Sequence, residues 1–440
     1  MSLLDDQKHI IERALRENLP DQAVKETLAT LPRPRGRRVL VAFGKAAWQM
    51  AEAAYDAMPD GWTSGVVITK YGHAKGAIGA FQIFEAGHPV LDDNSVRATR
   101  AATRLVSDLS ADDQVVVLIS GGGSALFEDP SISLERLAGL NEQLLASGAS
   151  ITEINTIRKR FSNVKGGRFA ALCAPAQVYS IILSDILGDP LDMIASGPTV
   201  PDRSTSAEAL RIAEQYALSL SNVERARLGE ETPKSLPNSH PTISGSVRLL
   251  AESARRACAE LGYDAEILTT SLDGEAREAG RFMGAIARTL AESRNTLGAT
   301  GGAHGAAGAG QEPIDSGQGA SRAGRKRALL FGGETVVHLT GTGKGGRNQE
   351  IALAAAEPLA GLPNVMIFSF GSDGTDGPTD AAGGWVDGTS YEKLRVAGYS
   401  PADVLKDNNA YAALEAVDGL IVTGPTGTNV NDLSVVLIGE

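Results

Sequence analysis

Short uninterrupted apolar runs alternate along this chain with stretches whose apolar positions suit a helix. Arg38–Phe43 (RVLVAF) is one such run, followed by Ala46–Tyr55 (AAWQMAEAAY), which has the composition of a helix. Gly65–Thr69 predicts a second strand, Asn94–Asp108 a helix, and Val115–Ile119 a third strand, and another helix and strand pair ends in Val178–Leu183. These runs lack the in–out alternation of a half-exposed sheet, so they predict parallel strands covered on both faces. The N-terminal half is therefore expected to be doubly wound α/β.

After Pro201 the pattern loosens, and residues 229–242 (GEETPKSLPNSHPT) hold three prolines among polar residues. We place the boundary there, giving domains 1–240 and 241–440. Beyond it the chain predicts a helix over 246–261, the strand Ala265–Thr269, a helix over 275–293 and the strand Ala328–Phe331. Thr335–Thr340 reads as a further strand, a helix starts near Asn348, and Val365–Ser369, Leu420–Thr423 and Ser434–Ile438 are strands again. The expected architecture is a doubly wound parallel-sheet domain, a smaller α/β domain, and a cleft between them.

Composition narrows the function classes. With 41 basic against 53 acidic residues the net charge is -12, which opposes nucleic-acid or anionic-membrane binding, since both need a basic face. No stretch approaches the ~20 apolar residues of a membrane span. The first ten residues lack a secretory h-region, and two distant cysteines, Cys173 and Cys258, exclude a disulfide framework. A cytoplasmic protein is expected. Glycine is abundant, 50 of 440 residues, where usage near 7% would give about 30. Part of the excess lies in 297–324 (LGATGGAHGAAGAGQEPIDSGQGASRAG), a stretch with too few large apolar residues to offset its ordering entropy. It reads as a mobile insertion.

The remaining glycines cluster at the ends of apolar runs, where open α/β sheets bind ligands. Lys45, between the first strand and a helix start, adds an ammonium to the positive end of the helix dipole. Ser120-Gly121-Gly122-Gly123-Ser124 lets backbone amides approach a phosphate closely, with hydroxyls as further donors. Asn155 can face the crevice, while Arg158, Lys159 and Arg160 read as a solvated helix face. Lys-Gly-Gly-Arg occurs at 165–168 and again at 344–347, each followed by a strand and an acidic loop. These loops carry Asp185, Asp189 and Asp192, and Asp373, Asp376 and Asp380; a carboxylate there can hold Mg2+ or take a proton from a hydroxyl, or only form a turn. Gly341, Gly343 and Gly346 satisfy G-x-G-x-x-G, a weak dinucleotide fingerprint without a convincing acidic partner downstream. Lys344 and Arg347 suggest a grip on a carboxylate or phosphate instead. There is no P-loop motif, no G-x-S-x-G elbow, and no metal-ligand spacing among the histidines.

In order along residues 40–440, Gly44–Ala47, Gly87–Val90, Ser120–Leu126, Asn155 with Arg158-Lys159 and Lys165–Arg168, Ser184-Asp185 through Ser196–Thr199, Gly332–Thr335, Gly345–Glu350, Ser372–Gly377 and Thr423–Asn429 resemble one family. It is the glycerate kinases with a C-terminal MOFRL domain. The resemblance implies a Rossmann-like N-terminal domain and ATP-dependent, Mg2+-assisted phosphorylation of D-glycerate, usually at the 2-hydroxyl, to 2-phosphoglycerate in the inter-domain cleft. On that footing Lys45, Arg347, Asp189 and Asp373 are the expected catalytic residues. Ser120, Gly121, Gly122, Gly123, Ser124, Asn155 and Lys165 would bind ATP phosphates; Lys45, Arg347 and Asp185 would bind substrate; Asp185 and Asp189 would hold Mg2+. Which aspartate is base and which binds metal stays open. The expected partners are D-glycerate and ATP, with no nucleic acid and no membrane, in a monomer or homodimer. An NAD(P)H-dependent hydroxypyruvate reductase and a non-catalytic sensor of organic acids or nucleotides are the alternatives. Deleting most of 300–322 should leave activity and Tm nearly unchanged; a large loss in a thermal melt would mean the insertion carries structure.

Overall fold

The computed structural model describes residues 2–300 and 326–440, and the side chains of 2–293 and 326–440. The chain divides into two compact units, Leu19–Ser246 and Met1–Asn18 together with Val247–Glu440. The division falls at Ser246, just past the expected 240, and the first helix, Leu3–Glu17, belongs to the second unit. The proposed insertion at 297–324 lies outside the described residues except where the helix Ala276–Thr300 runs into it.

The Leu19–Ser246 unit contains β1 (Arg38–Phe43), β2 (Ser64–Lys70), β3 (Gln82–Ala86), β4 (Gln114–Ile119), β5 (Gln177–Leu183) and β6 (Ser239–Gly245). They form one sheet in the order β3-β2-β1-β4-β5-β6, and every neighbouring pair is parallel. Every residue of β1 and β4 is buried, which is why both read as unbroken apolar runs. Two strands escaped the apolar-run reading because they are edges. β3 is only partly buried, and β6 carries Pro241, which a ladder tolerates at its rim. The order reverses between β1 and β4, a topological switch point of the kind where doubly wound sheets bind ligands.

The other unit contains β7 (Asp264–Leu272), β8 (Arg327–Gly333), β9 (Val365–Gly371), β10 (Gly383–Asp387), β11 (Leu420–Ile421) and β12 (Asp432–Ile438). Their order is β11-β10-β9-β12-β8-β7; only β7 and β8 pair in parallel, the other neighbours being antiparallel. The expected strand Thr335–Thr340 is not formed. Only Val336 bridges, to Glu275, and Val336 and Leu339 are exposed, so this short alternating stretch has no sheet face to cover.

Cys173 and Cys258 are both free and buried, and burial pushes each thiol up to about 12. No helix among the described residues is long and apolar enough to cross a membrane.

Buried polar contacts fasten the first helix to its unit. Tyr263 donates its hydroxyl to Asp6 at 2.7 Å, and Asn18 donates to Ser253 at 3.1 Å. The other Asp6 oxygen has no partner among the described residues. Tyr263→Phe would leave the carboxylate still less satisfied, and a buried unpaired acceptor costs about 1–3 kcal/mol. A urea titration should show that loss; an unchanged midpoint would mean the contact contributes nothing.

Candidate active site

The carboxyl ends of the central strands meet on one rung of the first sheet. Phe43 of β1 pairs in register with Ile119 of β4, and Ile119 with Ile182 of β5. The residues that follow therefore leave the sheet side by side: Gly44-Lys45, Ser120-Gly121 and Ser184-Asp185. Lys45 N–H donates to Gly121 O at 2.8 Å, and Ala46 N–H to Ser120 Oγ at 3.0 Å. Ser120 is thus buried, and its hydroxyl joins the two loops.

Gly121 has room for no side chain, since a Cβ there would collide with Asp185 Oδ2 and stand 3.4 Å from Lys45 Cε. Gly122 has φ 83°, and a Cβ would lie 2.8 Å from the His88 ring and 3.2 Å from Lys45 Cγ. Lys45, His88 and Asp185 thus converge on two glycines. Burial first, then the charge of Lys45, holds the His88 imidazole below its usual pKa, so the ring is neutral at neutral pH. Among the described residues the N–H groups of Gly121, Gly122, Gly123 and Ser124 have no hydrogen-bond acceptor.

Carbonyls of the same loop are engaged from beneath. Lys165 donates to Ser124 O at 2.9 Å and Phe127 O at 3.0 Å, with Glu128 at 3.4 Å. Arg158 also donates to Ser124 O, at 3.1 Å. Ser124 Oγ lies 3.2 Å from Ser196 Oγ, which donates to Asn155 Oδ1 at 3.1 Å. Asn155 and Arg158 stand on the helix Ile151–Arg160, whose start is fixed by a Ser150–Glu153 capping box. Phe127 supports the loop from beneath, stacked on Phe43 at 4.1 Å and edge-on to Phe169 at 5.0 Å.

This corrects two expectations. Lys165 is fully buried and binds carbonyls beneath the loop, so it has no face to offer ATP. Lys159 and Arg160 are not solvated either; Lys159 pairs with Asp202 at 3.1 Å, and Arg160 donates to Glu231 and Thr232. In the first acidic loop, Asp192 lies 3.4 Å from Lys159, whereas Asp189 has a buried Oδ1 with no partner among the described residues.

In the second unit the first four amides of the G-x-G-x-x-G loop are occupied. Gly341 N–H donates to Asn408 Oδ1 at 2.9 Å, Thr342 to Asp407 Oδ1 at 3.1 Å, Gly343 to Asp407 O at 2.8 Å, and Lys344 to Asn409 Oδ1 at 3.2 Å. No strand precedes the loop. Those four amides are not available to a pyrophosphate as the loop stands, and Lys344 sits 4.0 Å over the Tyr411 ring. Arg347 opens the helix Arg347–Leu359. Its fork is already engaged, with Nε to Asp432 at 2.6 Å, Nη2 to Asp432 at 3.1 Å, and Nη1 to Glu334 at 2.7 Å. Asp376 caps that helix through the amides of Asn348 (3.1 Å) and Gln349 (2.9 Å), and Asp380 accepts from Tyr411. Asp373 takes Thr375 N–H at 3.0 Å in an Asx-turn, the turn-forming alternative.

Residues 6–228 match the family described as "Domain of unknown function (DUF4147)", and residues 327–432 match the MOFRL family. D-glycerate 2-kinase of Thermotoga maritima is 48% identical over 431 residues, spanning 98% of this chain and 97% of that protein. The chain belongs to the MOFRL-domain glycerate kinase family. A crystal structure of glycerate kinase from Thermotoga maritima superposes on this member with TM-score 0.88 and 47% identity, covering 99% of both chains. An Agrobacterium vitis relative, 40% identical over 98% of this chain and 94% of its own, bears a hydroxypyruvate reductase name.

For this glycerate kinase family member, Lys45, Ser120–Ser124, Asn155 and Asp185 come together in one unit. Arg347 and Asp373 lie in the other. His88 was missed as a site residue: Gly87-His-Pro-Val90 marks it, but a lone histidine has no spacing that announces a role. Removing the buried cation beneath the loop tests its support. Lys165→Met strands the Glu128 carboxylate and should cost about 3–5 kcal/mol, whereas adding Glu128→Leu should recover most of it. Burial also lowers the Lys165 ammonium to about 8 from 10.5. The unfolded chain then binds more protons in that window, so stability should rise between pH 8 and 10.5. Denaturant melts of the double variant should lack that rise; equal pH profiles would refute the burial argument.

Proposed function

We propose that this chain is an ATP-dependent D-glycerate 2-kinase, forming 2-phosphoglycerate. The observation that carries this reading is the run of four amides at Gly121–Ser124 that have no partner among the described residues, at the sheet's switch point beside Lys45, in a chain so similar to a D-glycerate 2-kinase. Small molecules are then its substrates.

Phosphoryl transfer needs positioning and charge neutralisation more than covalent chemistry. The amides of Gly121–Ser124 receive ATP phosphate oxygens, and the Lys45 ammonium offsets charge developing on the transferring group. His88, neutral beside Lys45, can hydrogen-bond phosphate or the acceptor hydroxyl. Asn155 acts through Ser196 and Ser124 to hold the loop. Asp185 and Asp189 suit Mg2+, being hard oxygen donors on one strand-end loop, with Asp189 Oδ1 buried and unpartnered among the described residues. Mg2+ at a phosphate-transfer site is commonly held by one or two carboxylates plus phosphate and water. When bound, Mg2+ would neutralise phosphate charge. Arg347 takes the glycerate carboxylate through the N–H groups its acidic neighbours leave over. Asp373 receives no catalytic role here.

The reductase alternative loses its local support, because the fingerprint amides at 341–344 are consumed within the protein. Phosphorus NMR of the product from glycerate and ATP decides the reading. A 2-phosphate ester supports it, while NADH oxidation with hydroxypyruvate, or a 3-phosphate, overturns it. Lys45→Ala should depress kcat by about 100-fold or more. Arg347→Lys, which cannot reproduce a planar fork, should raise KM for glycerate far more than KM for ATP. Wild-type steady-state kinetics in both variants would reject these roles.

A further inference from the structure

Arg347 is held by a device that the phosphate site does not explain. A guanidinium has five N–H donors, and three are engaged within the second unit. Asp432 receives Nε and Nη2 side by side, and Glu334 receives Nη1. Glu334 is itself held, since Asn431 Nδ2 donates to its second oxygen at 2.9 Å. One N–H remains on Nη1 and one on Nη2, and the side chain is 33% exposed.

The sheet register places the carboxylate. Asp432 is the first residue of β12, and its rung partners are Gly333 on β8 and Gly371 on β9. Both flanking rungs are glycine: a Cβ on Gly371 would touch Asp432 Oδ1 and Asp373 Oδ1 at 3.4 Å, whereas one on Gly333 would run into Leu272. The side chain of Asp432 is only 8% exposed, so the pair is shielded from the solvent that weakens surface ion pairs.

We propose that Asp432 is the positioning residue of Arg347. It locks one edge of the guanidinium, Glu334 steers the other, and the two free N–H groups on the terminal nitrogens are left as the donors for the acceptor's carboxylate. The inference rests on the reading that Arg347 binds glycerate. It assigns a purpose to the turn leading into β12: delivering Asp432 to Arg347 and Asn431 to Glu334.

Steady-state kinetics in both substrates tests it with Asp432→Asn, Asp432→Glu and Arg347→Lys, singly and combined. Asp432→Asn offers the fork an amide and should raise KM for glycerate at least about tenfold, leaving KM for ATP within about twofold. Asp432→Glu keeps the charge but shifts the fork, and should give a smaller rise of the same kind; it carries the test if the asparagine variant does not fold. In an Arg347→Lys background neither change should add further. Equal rises in both KM values, or effects that multiply with Arg347→Lys, overturn the proposal. Normal kinetics in both Asp432 variants beside an impaired Arg347→Lys reject the positioning role alone. Normal kinetics in Arg347→Lys reject the underlying reading, and this inference with it.

Discussion

Four consecutive amides without a partner among the described residues, in a half-buried turn, cost free energy that the surroundings must offset. Around Gly121–Ser124 the compensation is one-sided. Two basic residues, Lys165 and Arg158, bind Ser124 O, and Lys165 also binds Phe127 O. Ser120 ties the turn to the β1 loop. The carbonyls of Ser124 and Phe127 are held by cations while the four N–H groups are not bonded within the described residues, so the turn keeps donors for an anion. Lys45 then adds a charge to donors already set by backbone dipoles.

The two Lys-Gly-Gly-Arg segments show how little a tetrapeptide decides alone. At 165–168 both cations are turned inward: Lys165 lies under the phosphate-type turn, and Arg168 donates to Ser162 O. Burial lowers the Arg168 guanidinium to about 10. At 344–347 the lysine lies on an aromatic ring and the arginine between two carboxylates. Identical residues thus serve as internal scaffold in one unit and as a partly exposed donor in the other. Neighbours from distant parts of the chain make the difference.

That division also marks what could be read from the sequence. β1, β4 and β5 were legible because a strand buried on both faces must be apolar throughout, and their ends led directly to Lys45, Ser120–Ser124 and Asp185. β3 and β6 were not, because an edge strand obeys no such rule. The burial of Lys165 and Lys159 was hidden for another reason. A lysine is expected at the surface, and only the approach of Glu128 or Asp202 from elsewhere makes its interior position tolerable. The G-x-G-x-x-G segment misled in the opposite sense: glycines permit a phosphate cradle, but Asp407, Asn408 and Asn409 had already taken the donors.

The two cysteines have a practical consequence. Cys173 lies in one unit and Cys258 in the other, and each thiol is fully shielded, with ionisation far above neutral pH. The thiolate is the species that reacts with alkylating agents, so the native protein should be inert to them while any opened unit is labelled. The chain therefore carries one built-in chemical reporter per unit, and mapping which cysteine is alkylated first under mild denaturation would rank the local stabilities of the two halves without any added probe.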